Sequence, residues 1–310
     1  MQLTEALGWF YLSMEAVKSK QTIIWYRHRL FALAIDLEDP TLASVTLNEL
    51  RQWRVNLSAA TTRWDNHPTR PIKSGGLSPY TIHGYIRAAK RFFTWCVDEG
   101  YIDVDPARRL ESPSLPTLKR RGIPTKDRDK LISAAADNPR DLAIILFLTA
   151  TVCRAAGIAG LRLGDLDLEH TRALVREKGR GGNNKIRTVY FKDRVLKALC
   201  AWLAVRPDIP DCDLVFIGLK RGGLKAGWHG LTTSGVYQIF KRLANLAGVT
   251  ANYDPHSFRH AGIRAMLMNG APLSSVSQIA GHSSVKVTAD IYGTLSDEEL
   301  QVQHDNYSPF

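Results

Sequence analysis

The chain has 310 residues, of which 45% are hydrophobic and 9% aromatic. That is enough apolar material for real cores, so a disordered or fibrous chain is excluded, and at roughly 150 residues per domain the length suggests two domains. Lys and Arg number 41 against 30 Asp and Glu, a formal net charge of +11, which points to a polyanionic partner.

The longest apolar run, 142–153, is 12 residues long and too short to span a bilayer. Glu5 and Glu15 stand where a signal peptide would carry a basic segment ahead of an apolar stretch, so neither a leader nor a membrane partner is expected. Cys96, Cys153, Cys200 and Cys212 form no CxxC pair. The expectation is a reduced, cytoplasmic chain whose cysteines are small buried hydrophobes.

In chain order, the first part reads as helical. Residues 22–34 and 48–59 are candidate helices, and the strongest runs over 78–99, with Ile82, Tyr85, Ile86, Ala89, Phe93 and Cys96 on one stripe. Ser78 is placed to cap its start and Gly100 its end. Arg87, Lys90 and Arg91 fall largely off that stripe, on a face free for solvent or for phosphate. Residues 64–76, polar and rich in Pro and Gly, read as a loop.

A seam follows at 112–125, SPSLPTLKRRGIPT, whose prolines, serines and Lys119-Arg120-Arg121 cluster make a poor core element and a good linker. The 14 basic and 12 acidic residues of 1–118 nearly cancel, whereas 27 basic and 18 acidic residues follow, so the positive charge is concentrated in the second part.

That second part opens with candidate helices over 127–136 and 141–151. Two short β-branched stretches, 172–177 and 186–191, flank Gly179-Arg180-Gly181-Gly182-Asn183-Asn184, a set of residues suited to a hairpin turn. The chain from residue 194 on is mostly helical. The expected architecture is two domains, mainly α with a small sheet: a helical domain over 1–113, a linker over 114–124 and a mixed α+β domain over 125–310.

The chemistry-bearing residues lie in the second part. Asp254-Pro255 reads as an N-cap and first helical residue, which puts His256 and Arg259 one turn apart at a helix start. Free backbone N–H groups there favour phosphate. His256 offers a proton-transfer group near neutral pH, and Arg259 a fixed fork of donors for an oxyanion. His256 and His260 have the four-residue spacing of a zincin pair, but Ser257 occupies the place of its general base and no third ligand follows by spacing; no metal site is expected. Arg154 closes the apolar helix, Lys178 stands at the hairpin turn, Gly281-His282 ends a helical stretch, and Tyr292 follows ten residues later. Each of these is unremarkable alone.

Taken together and in this order, Arg154, Lys178, His256, Arg259, His282 and Tyr292 resemble the signature of the tyrosine recombinases, the phage-integrase family. In that family an Arg follows an apolar helix, a Lys sits on a β-hairpin, and an H-x-x-R segment, a G-H pair and a Tyr complete the set. The resemblance implies a helical core-binding domain joined to the catalytic domain, and site-specific cleavage and rejoining of DNA through a 3′-phosphotyrosyl intermediate. No metal, ATP or other cofactor is implied, because two arginines and a lysine supply the positive charge.

The resemblance gives each residue a role. Tyr292 would be the nucleophile, Arg154 and Arg259 the phosphate clamp, Lys178 the acid for the leaving oxygen, His256 an acid/base group and His282 a hydrogen-bond donor. Arg87, Lys90, Arg91, Lys119, Arg120 and Arg121 become candidate DNA contacts. The implied partners are double-stranded DNA carrying a short inverted-repeat site and further copies of the chain in a synaptic tetramer, and the implied location is nucleoid-associated. The residues after Tyr292, with capping-box spacing at 296–299, would dock on a neighbouring subunit. With no stretch ahead of the helical part for an arm-binding domain, the expectation leans to a simple recombinase of the Xer-like or Cre-like kind, and a mobile-element integrase without arm domains fits equally well.

One position departs from the pattern. The family often carries an acid three residues after the first arginine, and this chain reads Arg154-Ala155-Ala156-Gly157. Either that arginine is less tightly held or another acid covers it. Two alternatives accompany the leading reading: a type IB topoisomerase-like enzyme, and a DNA-binding regulator on the same scaffold.

Overall fold

In the computed structural model the described residues are 1–63, 71–116, 122–178, 184–218, 230–251, 253–292 and 297–309. The chain divides into two compact units, Met1–Leu118 and Lys119–Phe310, and among the described residues it is mainly helical with two small antiparallel sheets.

The first unit holds α1 (Leu3–Glu15), α2 (Lys20–Asp36), α3 (Leu47–Ala59) and α4 (Pro79–Asp98). Helix α1 was not expected from the sequence; it buries Leu3, Ala6, Leu7, Phe10 and Met14. Three of the helices start on side-chain caps: Ser19 accepts from the Thr22 N–H, Thr46 forms a capping box with Glu49, and Ser78 accepts from the Thr81 N–H ahead of Pro79. Just past the end of α4, Gly100 takes a φ of +76°, which suits the left-handed turn that stops the helix. Its apolar stripe closes on α1 through Phe10, which meets Phe92 edge-on at 5.5 Å and Trp95 at 5.2 Å. Burying each such ring contributes about 1.5–3 kcal/mol. The stretch 64–76, expected as a loop, contains a two-residue strand, β2 (Lys73–Ser74), which pairs with β1 (Thr62–Arg63) just ahead of it; residues 64–70 lie outside the described residues.

The second unit is built around α6 (Pro139–Thr151), capped by Asn138 and buried along Ala143–Leu148. A helix apolar on all sides belongs in the middle of a domain. Around it lie α5 (Thr125–Ala134), the short α7 (Ala155–Ala159), α8 (Asp193–Val205), α9 (Thr233–Leu246), α10 (Pro255–Met268), α11 (Leu273–Ala280), α12 (Val285–Tyr292) and α13 (Asp297–Tyr307).

The sheet has three strands in the order β3 (Leu166–Asp167), β4 (Arg172–Lys178) and β5 (Asn184–Tyr190), all antiparallel. The sequence suggested only two strands, because β3 is two residues long. Asn184, expected in the turn, is the first residue of β5 and pairs with Lys178; residues 179–183 lie outside the described residues.

Two further expectations change. Ile123, assigned to the linker by composition, is buried in the second core, with its N–H donating to the Ser257 carbonyl at 3.2 Å. Of the four cysteines only Cys96 and Cys153 are buried; Cys200 is exposed and Cys212 half-buried. Burial pushes the Cys96 thiol up to about 12 and that of Cys153 to about 11, so both remain inert thiols. No described helix is long and apolar enough to cross a membrane.

Candidate functional site

Helix α6 ends in a left-handed turn at Val152, with φ +47°. The turn swings the chain so that Arg154 opens α7 as its N-cap residue. A second left-handed turn, at Gly281 with φ +67°, ends α11 and presents His282. The buried guanidinium of Arg259 joins the two turns. Its Nη1 donates to the Val152 carbonyl, and its Nη2 donates to the Ala280 carbonyl at 2.5 Å. Arg259 sits in the second turn of α10, whose start is built as the sequence suggests: Asp254 accepts from the Ser257 N–H at 2.9 Å, and Pro255 is the first helical residue. His256 is exposed one turn earlier, with its ring centroid 6.5 Å from that of Tyr237.

The carboxylate missing at Gly157 is supplied from the sheet. Along β4 the inward positions are Ala173, Val175 and Glu177, so strand alternation carries an acid into the interior. Glu177 is 1% exposed. Its Oε1 accepts from the Arg154 backbone N–H at 2.5 Å and its Oε2 from Arg154 Nη1 at 2.7 Å. Arg187 on β5 approaches the same carboxylate at 3.3 and 3.4 Å. Burial opposes ionisation of Glu177, but Arg187, the Arg154 N–H and the Arg154 guanidinium outweigh it and hold the carboxyl below its ordinary range. Arg187 also donates to the Ile279 carbonyl at 2.5 Å, linking the hairpin to the end of α11.

His282 Nδ1 lies 2.7 Å from the hydroxyl of buried Thr288. Partial burial and the charges of Arg259, Arg154, His260 and Arg187 lower its pKa to about 4, so the imidazole is neutral at pH 7. Thr288 precedes Tyr292 by one turn on α12, and Tyr292 is the last residue of that helix. Lys178 ends β4, directly after Glu177. The side chains of Lys178 and Tyr292 lie outside the described residues.

Arg154, Arg259, His282, the end of β4 and the start of α10 therefore converge within the second unit. In the first unit, Arg87 stacks over the Trp25 ring at 4.8 Å, and Arg91 forms a 3.9 Å ion pair with Asp98, both side chains exposed; Lys90 is half-buried. Lys119, Arg120 and Arg121 lie outside the described residues, as does Ser296 of the expected capping box. Among the described residues no three His, Cys, Asp or Glu side chains gather as a metal site. Sequence reading missed Glu177, Arg187 and Thr288; the available signals were the acid absent at Gly157 and a charged residue at an inward position of β4, which demands a buried partner.

The Phage integrase family model matches residues 123–299. Tyrosine recombinase XerC of Corynebacterium efficiens is 33% identical over 307 residues, covering 96% of this chain and 89% of that protein. Tyrosine recombinase XerC of Haemophilus ducreyi is 28% identical, covering 97% and 92%. The fold is shared with the Tn1549 transposon integrase in complex with transposon right-end DNA, at a TM-score of 0.74 and 18% identity over 99% of this chain and 100% of that one. XerH recombinase bound to a palindromic substrate gives 0.68 and 18% over 93% and 80%. These matches favour a recombinase over a type IB topoisomerase or a regulator. The chain belongs to the phage integrase family and is a tyrosine-type site-specific DNA recombinase.

Proposed function

We propose that Tyr292 attacks the scissile phosphate of a bound duplex, forming a 3′-phosphotyrosyl bond and releasing a 5′-hydroxyl, and that the reverse attack by a 5′-hydroxyl reseals the strand. The bond energy stays in the intermediate, so no ATP is consumed. Arg154 and Arg259 clamp the non-bridging oxygens, where charge grows in the transition state. Lys178 protonates the leaving 5′-oxygen, His256 handles the tyrosine proton, and neutral His282 donates a hydrogen bond to the phosphate from Nε2, with Nδ1 engaged by Thr288. A tyrosine hydroxyl has an unperturbed pKa of about 10, and a cationic site lowers the cost of ionising it near pH 7.

The observation that carries this reading is the buried Arg259 guanidinium bonded to both left-handed turns. It ties the turn preceding Arg154 to the corner bearing His282 and supports a preorganised anion site.

The partner is double-stranded DNA with a short inverted-repeat site, on which four copies assemble. The helical domain, 1–113, would hold the duplex against the catalytic domain, 125–310. Arg87, Lys90, Arg91 and Lys119–Arg121 would lie on phosphates, and the segment after Tyr292 on a neighbouring copy. Support comes from the DNA-bound state of the Tn1549 integrase and XerH structures and from the net charge of +11.

The test is cleavage of a nicked suicide duplex by Arg154→Lys and Arg259→Lys. Loss of at least about a hundredfold in single-turnover rate is expected, because a lysine cannot reproduce the fork. Wild-type rates in both variants would contradict the clamp.

A further inference from the structure

The structure assigns Glu177 as the residue that positions Arg154 and, as its neighbour on β4, the backbone of Lys178; this rests on the recombinase reading above. Glu177 is buried to 1% exposure, yet it carries charge and spends both carboxylate oxygens on Arg154, one on the backbone N–H and one on the guanidinium. Holding Arg154 at its backbone and at one guanidinium nitrogen ties the side chain's direction to the strand, and leaves the remaining guanidinium donors aimed elsewhere. Arg187 completes the arrangement, since it approaches the same carboxylate and donates to the Ile279 carbonyl beside the His282 corner. One buried acid thus fixes the geometry of Arg154, the end of β4 and the end of α11.

The space for this acid is made by Gly157. A Cβ built at Gly157 would stand 3.3 Å from Glu177 Oε1 and 3.4 Å from its Cγ. The carboxylate reaching Arg154 therefore comes from the strand, into volume that the helix residue leaves empty. A side chain on α7 and a glutamate on β4 are alternative sources of one carboxylate in one place, and both together would crowd two like charges into the buried space beside Arg154 and Arg187. Positions 157 and 177 are accordingly coupled in sign: an acid at 157 is harmful while Glu177 is present and beneficial once Glu177 is removed.

The test uses the full chain, a nicked suicide duplex, single-turnover cleavage at saturating protein, half-saturation for binding, and thermal unfolding. Glu177→Gln keeps the shape but removes the charge, and is expected to lose at least about tenfold in cleavage rate with half-saturation within about twofold, since small misplacement of a catalytic group has large kinetic cost. Gly157→Glu alone is expected to lose at least about tenfold as well. Gly157→Glu combined with Glu177→Gly is expected to cleave at least about tenfold faster than Glu177→Gly alone. A purely structural glutamate would not yield this recovery of rate at matched unfolding temperatures.

Wild-type cleavage by Glu177→Gln would overturn the assignment. So would a double variant no faster than Glu177→Gly, which remains decisive if Glu177→Gln does not fold. Wild-type protein that forms no adduct, with Tyr292→Phe as the reference, would instead overturn the recombinase reading itself.

Discussion

Val152 holds a φ of +47°, a left-handed conformation that costs a β-branched residue about 1–3 kcal/mol. The strain persists because its carbonyl is gripped by Arg259 and its side chain is fully buried. His282 shows how the same cluster tunes protonation. Its folded pKa of about 4 lies below the ordinary 6.5, so the unfolded chain binds a proton more readily between those values. The contribution of neutral His282 is therefore fully present above about pH 6.5 and is lost as pH falls towards 4. Urea unfolding across pH 4–8 should show a wild-type chain losing stability on acidification more steeply than His282→Gln. Parallel curves for the two proteins would contradict the assigned protonation. None of this was legible from the sequence: Gly281-His282 and the H-x-x-R pair mark the residues, whereas the depressed pKa arises from burial and from charged residues far apart in the chain.

Between α6 and α10 the packing depends on an absent side chain. A Cβ at Gly262 would fall 2.5 Å from Val152 Cγ1 and 3.0 Å from the Thr149 carbonyl. Gly262→Ala must push α10 away from α6, and with it Arg259 from the Val152 carbonyl. Overpacking of this kind costs about 1–3 kcal/mol, so a lower urea midpoint and slower cleavage are expected; an unchanged midpoint would show that the helices separate freely. The long amphipathic and apolar helices were legible from their periodicity and apolar runs, reinforced by a cap at Ser78 ahead of α4, whereas the Asn138 cap that starts α6 at Pro139 was not read. Helix α1, the five-residue α7 and the two-residue β3 were not, since their form is set by what they pack against. Alternation along β4 carried a usable signal at Glu177, and the gap at Gly157 was the other half of it.

Across the two units the charge is uneven, nearly balanced over 1–118 and basic beyond. The proposed grip on DNA makes affinity steeply salt-dependent, about 0.9 in log–log slope per neutralised phosphate. Lys90→Gln and Arg91→Gln should each flatten that slope by about 1 while leaving site preference unchanged. A slope unaltered in both would remove the first unit's helix α4 from the interface. The ordered set Arg154, Lys178, His256, Arg259, His282 and Tyr292 made the family legible from residue types alone. How the set is assembled was not, because the contacts that join it run from Val152 to Arg259, Arg154 to Glu177 and Arg187 to Ile279, pairs separated by 107, 23 and 92 residues.

The most direct measurement is covalent trapping: protein incubated with duplex DNA from the flanks of its own gene, in EDTA, then denatured and resolved on a gel. The account predicts an adduct that survives denaturation with wild-type protein, disappears in Tyr292→Phe while DNA binding persists, and maps to a 3′-phosphate on Tyr292. An adduct formed equally by Tyr292→Phe would contradict it, as would nicked suicide substrates that are bound but never linked to the protein.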